Sequence, residues 1–307
     1  MAQLAHACCG FARVTTSTAH SDYRMSRSDW LLLVIPGLIW GSSFFFIAEG
    51  LDAFEPALIT PLRILFGFLA LIALPQSRKH IPKEDLSSIA LLGVFWIAIP
   101  LSLFPFAEQH VSSSVTGMLN GATPLFVATV ASIMHQRFPH RNQILGLLVG
   151  FGGVLLIAIP TANKTSSSAF GVALIMCALC CYGIALNLAV PLQQKHGALP
   201  VIVRAQVVAL VLTAPFGIAA IPNSSFAWHS FFAMVGLGVG GTGIAYALTT
   251  TLAGRVGSTR TSVTTYIMPV VALFLGAVIR NEVVAGLSLV GCGVALAGAF
   301  LTNRSRK

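Results

Sequence analysis

Charge is what this sequence has least of. Of its 307 residues only 9% are charged, while 56% are hydrophobic. A soluble domain carries roughly 25% charged residues, so this chain has too little charge to cover a water-facing surface. Its natural solvent is lipid. Carboxylates are scarcest: nine Asp and Glu stand against eighteen Lys and Arg, and none lies in the middle of an apolar run. Other absences exclude chemistry. There is no His-Glu-x-x-His helix and no nucleophile–base pair at readable spacing, which speaks against an intramembrane enzyme. No Gly-Lys-Ser/Thr phosphate loop occurs, so nucleotide drive is not built into the chain and no cofactor is expected. Cys8 and Cys9 lie near the N-terminus. Cys177, Cys180, Cys181 and Cys292 lie inside apolar runs, where they read as small packing residues, and no spacing suggests a metal site. The net charge of +9 contains no basic run long enough to argue for nucleic acid.

What is present is a repeat. Residues 107–156 recur at a constant offset of 145: Val111-Ser112-Ser113 falls on Val256-Gly257-Ser258, Thr116 on Thr261, Pro124 on Pro269, Gly146 on Gly291 and Gly153 on Gly298. Earlier positions match less closely, Trp40-Gly41 with Tyr182-Gly183 and Arg63 with Arg204. Self-similarity at one fixed period means that the chain is two copies of one unit.

From Leu31 onward nearly everything lies in apolar runs of about 18–22 residues, the length a helix needs to cross a hydrocarbon core. In lipid each backbone amide must be paired within its own segment, so such runs are helices. The roughly ten-residue alternating strands of a membrane barrel are absent. Ten spans can be read: 30–48, 56–75, 87–106, 113–134, 143–161, 170–190, 200–221, 226–248, 258–279 and 283–301. The fold expected is all-α and integral to the membrane. Residues 30–161 form the first repeat and 170–302 the second. Residues 303–307 are a basic C-terminal tail. Residues 1–29 are polar, and read as a disordered tail, a targeting extension or a stretch preceding a true start at Met25.

Basic residues fix the orientation. Eight lie in loops on one side (Arg78, Lys79, Lys83, Arg137, Arg141, Lys195, Arg255 and Arg260), and the two tails on that side add six more. The opposite loops hold Lys164 and Arg280, with Glu49, Asp52, Glu55, Glu108 and Glu282 nearby. Basic loops stay cytoplasmic, which puts both termini in the cytoplasm, with attraction to anionic lipid as a by-product. Five spans per copy is an odd number, so the second copy is inverted relative to the first. Inverted repeats are a frequent architecture of secondary transporters, with the solute site near the midplane between the halves.

The residues also resemble a known family. Trp40-Gly41-Ser42-Ser43-Phe44, the stretch from Ala107 to Ser114 and Thr123-Pro124-Leu125-Phe126 resemble the EamA-like family of the drug/metabolite transporter superfamily. So do the stretch from Arg255 to Ser262, Met268-Pro269-Val270 and Arg280-Asn281-Glu282. The resemblance implies ten helices in two inverted five-helix repeats. It also implies a small-molecule permease, often an exporter of amino acids or related metabolites, in the cell (inner) membrane. One departure stands out. The glutamate usual after span 4 is replaced by Arg137, while Glu282 keeps the equivalent place in the second copy.

Polar residues inside spans are the candidates for a binding site, since they are costly in hydrocarbon. They are Trp40, Arg63, Asn120, Thr123, Tyr182, Asn187, Tyr246, Thr265 and Tyr266. Arg63 offers positive charge to an anionic group such as a carboxylate. Arg204, nearer its span end, reads as capping carbonyls or reaching to headgroups. Asn120 and Thr265 occupy equivalent places and are expected to face one another. Any one of these residues also fits interhelical hydrogen bonding. Pro124 and Pro269 are the hinge candidates. Glu108-Gln109-His110 reads as a solvated loop, with a titrating gate as its alternative. The partners expected are a small solute and lipid, with the chain a monomer or homodimer. The rival to a transporter, besides an enzyme, is a receptor or scaffold.

Overall fold

The computed structural model describes residues 25–134, 141–162 and 166–304, and among these every regular element is a helix. Residues 1–24 with Cys8 and Cys9, Arg137, Lys164 and residues 305–307 lie outside the described residues. Helix α1 (Arg27–Leu51) starts before its apolar run does. Ser26 caps it and Asp29 reaches back to the Ser26 amide at 2.9 Å, a capping box that takes residues 27–29 from the expected tail into the helix. Helix α2 (Pro56–Ile72) follows. Then α3 (Lys83–Leu92) passes through a π-helical stretch, Gly93–Ala98, into α4 (Ile99–Glu108) as one rod.

A second rod is broken between α5 (Ser113–Asn120) and α6 (Thr123–Met134). Three unbroken helices come next: α7 (Arg141–Ala162), α8 (Ser166–His196) and α9 (Ala198–Ala220). In the next rod α10 (Trp228–Gly236) runs through a second π stretch, Leu237–Ile244, into α11 (Ala245–Val256). Helix α12 (Ser258–Thr261), a 3-10 stretch Ser262–Tyr266 and α13 (Met268–Val278) make another broken rod, and α14 (Gly286–Arg304) ends the described chain. The irregularities repeat as the sequence does. A shift of 145 carries Gly93 onto Gly238 inside the second π stretch, and the break at Pro124 onto the break at Pro269. Each proline is the second residue of its helix, where its missing N–H costs no bond but prevents the rod from continuing unbroken.

Among the described residues, seven helices or rods are long and apolar enough to cross a membrane. These are α1, α7, α8, α9 and the rods Lys83–Glu108, Ser113–Met134 and Trp228–Val256. Pro56–Ile72, Ser262–Val278 and Gly286–Thr302 are apolar but shorter, within 10–17 residues. The sequence reading expected ten helices of spanning length. Irregular backbone bounds two of the other three: a 3-10 turn at Pro75–Arg78 follows Pro56–Ile72, and residues 281–285, with Asn281 at φ 53°, carry no regular structure before Gly286.

Small residues set the closest contacts. Helices α7 and α14 touch backbone to backbone: a Cβ on Gly298 would lie 2.2 Å from the amide nitrogen of Gly150, and one on Gly153 2.2 Å from that of Ala295. The second π stretch crosses α2 at Gly238, where a Cβ would lie 2.5 Å from the Cβ of Phe66 and 2.7 Å from the carbonyl oxygen of Arg63. The first π stretch meets α9 the same way, a Cβ on Gly93 falling 2.6 Å from the carbonyl oxygen of Ala205. Gly197 and Gly257, both at φ 83°, turn the chain between α8 and α9 and between α11 and α12.

Charged and polar bonds gather at two ends of the bundle. At one, Arg280 bonds Glu49 and Asp52, Glu282 bonds Ser113 and Ser114, and the Ser230 hydroxyl donates to the Glu49 carbonyl at 2.6 Å. The hydrogen bonds on Arg280 outweigh its partial burial and raise its pKa above the usual arginine value. At the other end Arg255 pairs with buried Asp29 at 3.1 Å, and Lys195 and His196 both reach Asp85, at 2.7 and 2.9 Å. The packing makes a prediction. Gly238→Ala should lower the melting temperature of the protein in detergent, at the roughly 1–3 kcal/mol typical of overpacking. Gly152→Ala, whose Cβ would meet nothing within 4 Å, should melt no lower than wild type.

Candidate functional site

The π stretches are where the backbone needs help. A π turn moves the hydrogen bond from the fourth residue to the fifth, and carbonyls left over inside an apolar bundle have no water to turn to. Side chains from neighbouring helices supply the donors. Trp40 Nε1 on α1 donates to the Gly241 carbonyl at 2.9 Å, and Gln206 Nε2 on α9 to that of Thr242 at 2.6 Å. The Tyr246 hydroxyl donates to the Trp96 carbonyl at 2.8 Å. Trp96 and Gly241 stand 145 apart, so the same carbonyl is held by an aromatic donor in both copies. The three rings meet: Trp40 lies edge-on to Tyr246 at 5.3 Å, and Tyr246 tilts onto Trp96 at 5.0 Å.

These rings wall a cavity of about 50 Å³ lined from both halves of the chain. Where one water needs roughly 10–15 Å³, that is room for several. Of the nine candidate residues, Trp40, Arg63, Asn120, Thr123, Tyr182, Tyr246 and Thr265 line it. Asn187 and Tyr266 do not. Asn187 bridges helices, donating to the carbonyls of Val127 and Gly183 at 3.2 and 2.8 Å and accepting from Ser258 at 3.2 Å. Tyr266 is half-buried and packs against the apolar core. Ser43, Trp96, Leu186 and Met268 also line the cavity and had no signal in an apolar sequence that set them apart.

Arg63 is 2% exposed. Its Nε donates to the Thr242 hydroxyl at 3.0 Å, and among the described residues it has neither an ion pair nor a bond from its two terminal nitrogens. A guanidinium presents five donors, so most of its capacity is unused. Arg204 differs. Its terminal nitrogens donate to the carbonyls of Ser77, Lys79 and Pro200 at 3.3, 2.6 and 3.0 Å.

The broken rods bring their breaks to this cavity. Asn120 and Thr123 flank the gap between α5 and α6, and Thr265 and Met268 flank that before α13. The Thr123 hydroxyl donates to the Asn120 carbonyl at 2.6 Å, and Asn120 Nδ2 lies 3.5 Å from the Met268 sulfur. Pro124 and Pro269 are both buried, and a Cβ on Gly121 would lie 2.4 Å from Pro269 Cγ, so the two breaks pack together.

Glu108 departs from the solvated-loop expectation. It ends α4, and both its carboxylate oxygens are closed off from solvent. His110, two residues on, turns to the Phe170 ring at 5.8 Å. The geometry around Tyr246 is testable. Tyr246→Phe keeps the ring but strips the Trp96 carbonyl of its donor, and should cost about 1–3 kcal/mol, the penalty of an unsatisfied buried group, read as a lower melting temperature.

Known proteins align along almost the whole chain. The profile of the EamA-like transporter family matches residues 28–159 and 169–304, one match per copy. A transporter of Archaeoglobus fulgidus is 23% identical over 277 residues, covering 90% of this chain and 99% of its own. A probable terminal-alkyne amino-acid exporter of Streptantibioticus cattleyicolor is 25% identical over 289 residues, covering 92% and 95%. The inner membrane transporter YedA of Escherichia coli is 24% identical over 277 residues, covering 87% of each. One solved crystal structure superposes with a TM-score of 0.68 at 18% identity, over 90% of this chain and 98% of its own, which speaks for the fold alone. An apolar helical bundle matched twice by one profile leaves a single assignment: this chain is an integral membrane protein of the EamA-like transporter family.

Proposed function

We propose that the chain is a secondary-active exporter of small polar metabolites such as amino acids, working by alternating access at the cavity around Arg63 and Asn120. One observation carries this reading: a small polar cavity bounded by interrupted helices from both copies of the repeat. Interrupted helices at a site between repeats are the usual construction of a secondary carrier. Arg63 presents its unused donors to a carboxylate, a bidentate match. Asn120, Thr123 and Thr265 orient the rest of the solute without adding fixed charge, and Trp40, Tyr182 and Tyr246 enclose it. Pro124 and Pro269 mark where the two rods bend. The amino-acid class draws support from the relative named as an amino-acid exporter.

We read ten crossings in two inverted sets of five. Helix α2 has 17 residues, close to the lower limit of roughly 17 for a spanning helix. Inversion is supported by where the equivalent rods begin and end. Rod 83–108 begins at Asp85, bonded to Lys195, and ends beside Ser113, bonded to Glu282. Rod 228–256 begins at Ser230, bonded to the Glu49 carbonyl, and ends at Arg255, paired with Asp29. The first runs from the end of the bundle that holds Lys195 and Arg255 to the one that holds Arg280, and the second runs back. With Arg78, Lys195 and Arg255 at the end where α1 begins, that end faces the cytoplasm.

The decisive test is flux through purified protein in liposomes against a panel of radiolabelled amino acids. Arg63→Gln should weaken uptake of carboxylate solutes by about 10–100-fold, the worth of roughly 1.5–3 kcal/mol for a bond to a charged group, with unchanged folding. Equal flux in wild type and variant would remove Arg63 from the site. No flux of any solute would favour a receptor or scaffold. Protease-cleavable tags on the two ends of the chain should both be cut only from the cytoplasmic side.

A further inference from the structure

Glu108 borders one cavity and lies one helical turn from the lining of another. Leu101 and Phe104 line the central cavity, and Glu108, one turn beyond Phe104 on α4, continues their face. Glu108 also borders a polar vestibule of about 520 Å³ at the Arg280 end, shared with Asp52, Glu55, Gln109, Asn223 and Arg280. One turn of α4 thus separates the lining of the solute cavity from that of the vestibule.

Two glutamates at this end live in opposite conditions. Glu282 accepts four hydrogen bonds, from the backbone amides and hydroxyls of Ser113 and Ser114, at 2.5–3.0 Å. Both oxygens of Glu108 are shut off from solvent and have no hydrogen-bond partner among the described residues. Nor does Glu108 have an ion pair there. The charges acting on it are Glu282, which repels a second carboxylate, and Arg63 and Arg280, which attract it from beyond contact. Of the other helices packed on α4, α1 brings Glu49, already bonded to Arg280, and α8 brings Tyr182. Helix α5 has no titratable side chain. A bare, unpartnered carboxylate is costly in such a place, and a carboxyl so placed neutralises by taking up a proton rather than standing charged.

We infer that Glu108 is the proton-binding site of the transport cycle. It holds a proton while the wall between cavity and vestibule is closed. When the wall opens, the carboxyl O–H bond breaks, the proton passes to vestibule water, and the carboxylate is left solvated near Arg280. The matching place in the second copy is Ala253, so the site serves one end only. The inference rests on the transporter reading above.

Infrared difference spectroscopy on the full chain in lipid at neutral pH reads the proton directly. Wild type and Glu55→Gln should both show a protonated-carboxyl stretch that Glu108→Gln lacks. A band unchanged in Glu108→Gln would overturn the inference. If that variant does not fold, Glu108→Asp keeps the carboxyl and should shift the band; an unshifted band overturns it equally. In liposomes loaded with a radiolabelled amino-acid mixture, flux should rise about tenfold per unit of pH on the vestibule side, one proton being lost per opening. Glu108→Gln should flatten that response, and wild-type flux indifferent to vestibule pH would count against the proton. Absence of any flux would instead sink the transporter reading, while the infrared band would still decide the state of Glu108.

Discussion

Two carbonyl groups in the interior of an apolar bundle, those of Trp96 and Gly241, set the terms for the rest of the structure. Each lies in a π stretch, and each takes its hydrogen bond from an aromatic donor on another helix, Tyr246 and Trp40. In water such carbonyls would be satisfied cheaply. In hydrocarbon an unpaired one costs several kcal/mol, so the donors have to be there. Meeting that need draws α1, the first π stretch and α11 together and puts three large aromatic rings side by side. The cavity is the space beside those rings. Its polar character follows from the same constraint, because side chains able to satisfy stray backbone groups are also side chains able to hold a solute.

Arg63 fits this picture as a group only partly satisfied. Its Nε is taken by Thr242, inside the second π stretch, and the residue lines the cavity. A buried cation without a counter-ion is expensive, and the proposed role of Arg63 rests on that unmet demand. The bonds at the two ends of the bundle are of another kind. Lys195 with Asp85 and Arg280 with Asp52 are partly exposed pairs, worth roughly 0–1 kcal/mol each. The same ends also hold the four hydrogen bonds on Glu282 and the Arg255 pair with buried Asp29, while the close glycine contacts of α7 with α14 register the helices.

Helical azimuth explains which polar residues reached the cavity and which did not. Tyr182 and Leu186 are one turn apart on α8 and share its inner face. Asn187 is one residue further round, roughly 100° away, and meets the Val127 carbonyl and the Ser258 hydroxyl instead. Thr265 and Tyr266 diverge for the same reason. Glu108 shows a different failure of inference from sequence: flanked by Gln109 and His110, it looks like part of a wet loop. Only the packing of α4 beside α2 and α8 shows that its oxygens are out of reach of water.

By itself the sequence determined the solvent, the helical class and the duplication. These follow from composition, run length and the constant offset, all of which are written along the chain. The offset of 145 also foretold that a kink at Pro124 would have its counterpart at Pro269. Tertiary structure alone decided which apolar stretches would slip into π turns, which donors would cover the exposed carbonyls, and therefore where the cavity lies. The reason is that a carbonyl released inside a bundle is satisfied by whichever helix passes close enough, and that proximity is a property of the packed bundle rather than of any one segment.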